Sequence, residues 1–132
     1  MKTPPPSAIL VLIVDDNEDV REMYQTYLAF SGYRVLTAAS GEQGIEAARE
    51  HHPSVILMDA TMPGVDGWEA TKRLKADPVL SRIPVLMLTA HAFPDVRRRA
   101  EAVGCDGYIA KPCLPDELVK HVRAAVRTSL RG

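Results

Sequence analysis

Five times along this chain a short apolar run is followed by a longer segment with helical periodicity. The runs are Ala8 to Val14, Tyr33 to Ala38, Ser54 to Met58, Pro84 to Thr89 and Gly107 to Ala110. Runs of this length, rich in β-branched residues and bounded by Gly and Pro, read as strands. Four of them carry almost no apolar–polar alternation, which is the mark of strands covered on both faces, as in a parallel sheet. The second, with Arg34 and Thr37, is less apolar and belongs nearer an edge. Parallel neighbours need crossover connections, and the intervening segments supply them as helices. The pattern predicts an α/β fold, a doubly wound five-stranded parallel sheet with helices on both faces.

The helical segments have readable ends. Asn17 to Phe30 places Val20, Met23, Tyr24, Tyr27 and Leu28 on one face, and Gly32 stops it. Ser40 caps Gly41 to His52, with Glu42 and Gln43 in the first turn and Pro53 beyond. Gly67 leads into Trp68 to Ala76, closed by Asp77 and Pro78. Pro94 sits in the first turn of Phe93 to Val103, which Gly104 ends. Pro115 opens the last helix, to Leu130. The "TPPPS" start reads as a disordered lead-in, residues 1–7, before a single domain at 8–130.

Bulk properties narrow the function. With 132 residues, 46% of them hydrophobic, one domain can build its core without disulfide or metal staples. Sixteen basic against 17 acidic residues give no reason to expect direct nucleic-acid binding. The apolar run Ala8 to Val14 is far short of the roughly 20 residues that span a bilayer. No small-residue cleavage site follows it, so neither a membrane span nor a signal peptide is expected. Cys105 and Cys113 form no metal-binding or redox pattern, which fits a reduced, cytoplasmic protein.

The chemistry lies at the strand ends. Strand one runs into Asp15 and Asp16, strand three into Asp59, strand four into Thr89, and strand five is followed by Lys111 and Pro112. In a parallel sheet these ends share one edge, where ligands of open α/β sheets bind. Taken singly, an Asp there is a helix cap, a Thr reflects β propensity and a Lys before Pro is a solvated turn. Together they form the set that phosphate and a hard cation require. Clustered carboxylates repel, by about 4 kcal/mol for two charges ~4 Å apart at an effective dielectric of 20, and so call for a counter-cation. An all-oxygen site beside phosphate suits Mg2+. A carboxylate so placed can act as a nucleophile toward phosphorus.

On these residues the chain resembles the receiver domain of two-component response regulators, from about Ala8 to Leu130. "VDDNED" carries the acidic pair, and "LMDATMPGVDGWE" matches the phosphorylation-site loop. "LMLTA" supplies a switch hydroxyl, and "GYIAKP" supplies Tyr108, Lys111 and Pro112. The resemblance implies a flavodoxin-like strand order 2-1-3-4-5. It implies that Asp59 accepts a phosphoryl group from a sensor histidine kinase or a phosphotransfer protein. Asp16, Asp59, the backbone carbonyl of Thr61 and, partly through water, Asp15 would bind Mg2+. Lys111 would contact the phosphoryl oxygen, Thr89 would move in to bond it and Tyr108 would turn inward. The Lys111–Pro112 bond would be cis. The output would be a protein-binding face on helix four, strand five and helix five, around Val96 to Val103, Tyr108 and Leu118 to Val122. The protein would be a signalling domain rather than an enzyme, a monomer or a phosphorylation-dependent dimer, without direct nucleic-acid or membrane binding.

Two alternatives stand beside this reading. A degenerate receiver used as a phosphate-independent binding module would lack the acceptor or the lysine, and both are present. A flavin-binding or phosphohydrolase domain on a similar sheet would want a phosphate-cradling loop after strand one, or a second acid where Thr61 stands. "DDNED" is the opposite sign. No output domain follows Leu130 in the sequence, so either a single-domain regulator or a portion of a longer protein is expected. Thr61 and His91 flank the acceptor and are expected to set how fast water removes the phosphate. His51 and His52 read as helix-dipole partners, Arg97 to Arg99 as a solvated helix face, and Cys105, Cys113 and Trp68 as packing.

Overall fold

The computed structural model describes residues 5–90 and 94–131, without the side chains of residues 6, 94 and 128–131. His91 lies outside the described residues. The sheet has five parallel strands: β1 (Leu10–Val14), β2 (Arg34–Ala38), β3 (Val55–Asp59), β4 (Val85–Thr89) and β5 (Gly107–Ala110). Their order is β2-β1-β3-β4-β5, as expected, with the less apolar β2 at one edge. The helices are α1 (Glu18–Phe30), α2 (Gly41–His51), α3 (Gly67–Ala76), α4 (Pro94–Val103) and α5 (Pro115–Arg131).

The apolar runs are continuous because both faces of the sheet are covered. On one face Leu12, Val14, Ile56, Met58, Val85 and Met87 pack with α2, α3 and α4. On the other Val11, Ile13, Val55, Leu57, Leu86 and Leu88 pack with α1 and α5. Fully burying a side chain of this size contributes about 1.5–3 kcal/mol, so the central strands form a stiff platform. Register then sets the site: Val14 pairs with Met58, Asp59 with Leu88 and Thr89 with Ala110. The last residues of β3 and β4 and the residues just past β1 and β5 therefore stand at one level.

The capping follows local chemistry. Asn17, not either neighbouring aspartate, caps α1, its Oδ1 accepting from the Val20 N–H at 3.0 Å. Ser40 caps α2, and Gln43 reaches back to accept from the Ala39 N–H at 3.1 Å. Asp66 caps α3, accepting from the Glu69 N–H at 2.9 Å. His52, expected only as a dipole partner, closes α2 in the left-handed conformation at φ 47°.

Some expectations need correction. Strand one starts at Leu10, because Pro6–Ala8 forms a 3-10 turn closed by the Ala8 N–H on the Pro5 carbonyl at 2.9 Å. Met23 and Tyr27 are exposed, although helical spacing groups them with buried Tyr24 and Leu28. Helix α1 packs on β1, β2 and α5 beside the edge strand, so only a narrow stripe is covered. Within the ranges expected to form an output face, Val96, Ala100, Leu118 and Val122 are buried core residues. The amphipathic period turns these residues toward the sheet, while Tyr108 is exposed.

Candidate functional site

Asp15 follows β1 directly and is only 1% exposed. Its Oδ1 accepts from the Asn17 N–H at 2.9 Å, so the turn into α1 holds the carboxylate in place. Arg21 reaches back from α1 and donates to the Asp15 carbonyl at 2.7 Å. Asp16 is exposed at the rim. Asp59 ends β3 and is 6% exposed. Carboxylate oxygens of Asp15, Asp16 and Asp59 lie within 4.8 Å of one another.

Lys111 enters from the far side of the sheet edge. Its backbone N–H bonds the Thr89 carbonyl at 2.7 Å, continuing the β4–β5 ladder one residue past β5. Its Nζ donates to Asp59 Oδ1 at 3.0 Å and to Asp15 Oδ2 at 3.3 Å. The Lys111–Pro112 peptide bond is cis. Thr89 is buried at the end of β4, one strand from Asp59, while Tyr108 faces outward. Thr61, two residues past Asp59, is exposed and points its N–H at Asp59 Oδ1, at 3.4 Å.

The electrostatics explain why the cluster holds together. Burial pushes the Asp59 carboxyl above the usual carboxylate value; the Lys111 bond opposes this and the Asp15 charge adds to it. For Lys111 burial works against the charge, but the Asp59 bond and the Asp15 and Asp59 charges outweigh it and its pKa is raised. Three carboxylates facing one ammonium leave a net negative site. Two of the three aspartates are buried, and all three offer hard oxygens to a common centre. With no His or Cys in the set, this donor chemistry fits Mg2+ better than zinc.

Other residues around the site could not be read from spacing. Gly67 packs so closely that an added Cβ would collide with the carbonyl oxygen of Asp59 itself. A Cβ on Gly41, at the start of α2, would likewise strike the Val65 carbonyl. The loop after Asp59 is thus wedged against two helix starts. Arg99, expected as part of a solvated face, lies over the ring of buried Trp68, 4.9 Å from its centroid. Arg97 and Arg98 are solvated and pair with Glu101 and Asp95 on their own helix. Cys105 and Cys113 are half-buried packing residues at the margins of the two cores.

Comparison with known proteins agrees with this geometry. The family model for the response regulator receiver domain matches residues 11–123. The chain is 39% identical over 114 residues to the polar-differentiation response regulator DivK of Brucella ovis, covering 86% of this chain and 93% of that one. Among solved structures it is similar to the chemotaxis protein CheY4 of Vibrio cholerae, with TM-score 0.85 and 33% identity, covering 89% of this chain and 98% of that one. It is also similar to the receiver domain of the sensor histidine kinase PA1611 of Pseudomonas aeruginosa, a structure with a magnesium ion coordinated in the active-site cleft. There the TM-score is 0.83 and the identity 31%, covering 90% of this chain and 98% of that one.

Proposed function

We propose, for a chain that belongs to the response regulator receiver family, that Asp59 is the aspartate that takes the phosphoryl group. Receiver domains are signalling modules phosphorylated on an aspartate, not enzymes that turn over a metabolite. The observation that carries the assignment is the meeting of Asp59, Asp15 and Lys111 at one strand edge, with the Lys111 ammonium within 3.3 Å of both carboxylates.

An Asp59 carboxylate oxygen attacks phosphorus, and the bond from phosphorus to the donor breaks. With a phosphohistidine donor the imidazole nitrogen leaves with the electron pair of the P–N bond. The product is an acyl phosphate on Asp59. The β3 platform holds the nucleophile still. Lys111 Nζ, already on Asp59 Oδ1, is placed to meet a phosphoryl oxygen as negative charge gathers there. Asp15, Asp16, Asp59 and the Thr61 carbonyl are the groups that would hold Mg2+, which when bound offsets the charge of the carboxylates and of the incoming group. The magnesium in the PA1611 receiver structure supports that choice of metal.

The switch we propose runs through Thr89 and Tyr108. Thr89 donates its hydroxyl to the phosphoryl group from the neighbouring strand, and Tyr108, exposed without it, turns inward. A phosphoryl group adds about −1.5 to −2 charge, and contacts that exist only with it shift the population. The donor partner is a histidine kinase or phosphotransfer protein, in line with relatives from sensor kinases. The output surface is the exposed side of α4, β5 and α5, and the domain spans 8–130. Among the described residues no helix is long and apolar enough to cross a membrane; we place the protein in the cytoplasm.

Intact mass after incubation with acetyl phosphate and Mg2+ tests this. One added phosphoryl group, lost in Asp59→Asn and lost without Mg2+, is expected. A wild-type protein that stays folded and takes no phosphoryl group would overturn the assignment.

A further inference from the structure

Arg99 reaches from α4 to the residues leading out of the acceptor loop, and it does so twice. Its guanidinium lies over Trp68 at 4.9 Å from the ring centroid, and its Nη2 is 3.9 Å from Asp66 Oδ2. Asp66 and Trp68 flank Gly67. Gly67 is packed against the Asp59 carbonyl, and its N–H bonds the Ala60 carbonyl at 3.1 Å. Trp68 is itself buried in the core cluster that also holds Val96 and Ala100 of α4. A continuous set of contacts thus runs from α4 through Arg99 to the backbone of Asp59.

We propose that Arg99 is a positioning residue that latches α4 to the acceptor loop in the unphosphorylated state, and that phosphorylation of Asp59 releases it. This rests on the reading of Asp59 and Thr89 above. Helix α4 begins five residues after Thr89 in the sequence, so a displacement of the end of β4 toward a phosphoryl group has only a short length of chain in which to be absorbed before α4. The latch has little slack. A cation holds an aromatic face only within about 6 Å of its centroid, and an ion pair weakens beyond about 4 Å. A shift of roughly 1 Å at Arg99 carries the ion pair past its limit and takes the guanidinium to the outer edge of the aromatic range. A contact present in one state only must, by linkage, oppose the ligand that favours the other.

Trp68 is the single tryptophan of the chain, so its emission reads this contact directly. Beryllium fluoride with Mg2+ serves as the phosphoryl stand-in, because it binds a carboxylate oxygen reversibly and gives a true equilibrium. The Arg99 side chain is 58% exposed, so Arg99→Gln should fold normally. The expected results are a change in wild-type emission on adding beryllium fluoride, absent in Asp59→Asn. In Arg99→Gln the free protein should already show altered emission with little further response. Calorimetry should find beryllium fluoride bound roughly two- to fivefold more tightly by Arg99→Gln. Arg99→Lys, which keeps a cation over the ring, should fall between. A wild type that takes a phosphoryl group by mass yet shows unchanged emission would overturn the latch alone, as would wild-type affinity in Arg99→Gln. A wild type that neither takes a phosphoryl group nor binds beryllium fluoride would overturn the proposed function and the latch with it.

Discussion

Lys111 Nζ stands 3.0 Å from Asp59 Oδ1 and 3.3 Å from Asp15 Oδ2, and so ties the loop after β5 to the ends of β3 and β1. One ammonium cannot balance three carboxylates, and its charge opposes any cation drawn to the same carboxylates. Lys111→Gln should therefore separate two properties that normally travel together. Mg2+ should bind more tightly, by up to about tenfold, because a like charge beside the metal is gone. Phosphoryl uptake from acetyl phosphate should slow, because the group proposed to meet the transferring oxygens is gone as well. A calorimetric Mg2+ titration and a timed intact-mass series check both halves. Weaker Mg2+ binding in the variant would show that the lysine organises the carboxylates more than it competes with the metal.

The same pair has an alkaline signature. The folded pKa of Lys111 is raised above its ordinary 10.5. Its contribution to stability is fully present below that value and is lost as pH rises through the higher folded one. Wild type should lose more melting temperature than Lys111→Gln above about pH 10.5. Parallel curves for the two proteins would mean that the ion pair adds nothing to the fold.

Asp59 carries the opposite sign. Burial, only partly offset by Lys111, raises its carboxyl above 3.8, so the ionised form suits the fold less than it suits the unfolded chain. Below pH 3.8 both states are protonated and there is no penalty; as pH rises through the folded value the penalty develops fully. Asp59→Asn should melt a few degrees higher at neutral pH without Mg2+, as about 1 kcal/mol would produce in a domain of this size. The gain should shrink toward pH 3.8. Saturating Mg2+ should reverse the order, since a ligand that binds only the folded wild type stabilises it. Differential scanning calorimetry across pH, with and without Mg2+, makes the comparison.

What could be read in the sequence follows from what periodicity encodes. Continuous apolar runs imply a parallel sheet, and a parallel sheet puts Asp15, Asp16, Asp59, Thr89 and Lys111 on one edge however far apart they are in the chain. Helical spacing says which residues share a face, but not how wide a stripe the sheet will cover. That is why Met23 and Tyr27 were grouped with Tyr24 and yet lie exposed. The Arg99 stacking on Trp68 joins different helices, and nothing in either segment specifies their crossing. Gly67 looked like loop punctuation, whereas its missing Cβ serves a close approach to Asp59.

Lys75 offers a control far from the chemistry. Its Nζ donates to the Ser81 and Ile83 carbonyls at 3.0 and 2.9 Å and to Asp106 Oδ2 at 2.8 Å. Asp106 Oδ2 also accepts from the Val85 N–H at 2.7 Å, so one ammonium ties α3 to the entries of β4 and β5. Lys75→Met leaves those acceptors short of a charged donor and should cost about 2–3 kcal/mol in urea unfolding. Phosphoryl uptake per folded molecule should be unchanged. A drop in uptake would mean that the entries of the strands influence their far ends.

Gly67→Ala tests the acceptor loop at its tightest point. The added Cβ would meet the Asp59 carbonyl oxygen, Asp59 carbonyl carbon and Ala60 Cα, all of them backbone, so no side chain can swing aside. Either α3 backs away or the end of β3 shifts, and overpacking of this kind costs about 1–3 kcal/mol. Because Asp59 belongs to the carboxylate cluster proposed to hold the metal, the displacement should also weaken Mg2+ binding beyond what the stability loss explains. Gly64→Ala is the matched comparison: nothing lies within 4 Å of its Cβ position, so its cost comes from the positive φ of 72° alone. Mg2+ titrations of both variants, each under conditions where it is folded, should show a defect in Gly67→Ala that Gly64→Ala lacks. Equal affinities would mean that Asp59 keeps its place when α3 gives way, and that the close approach serves packing only.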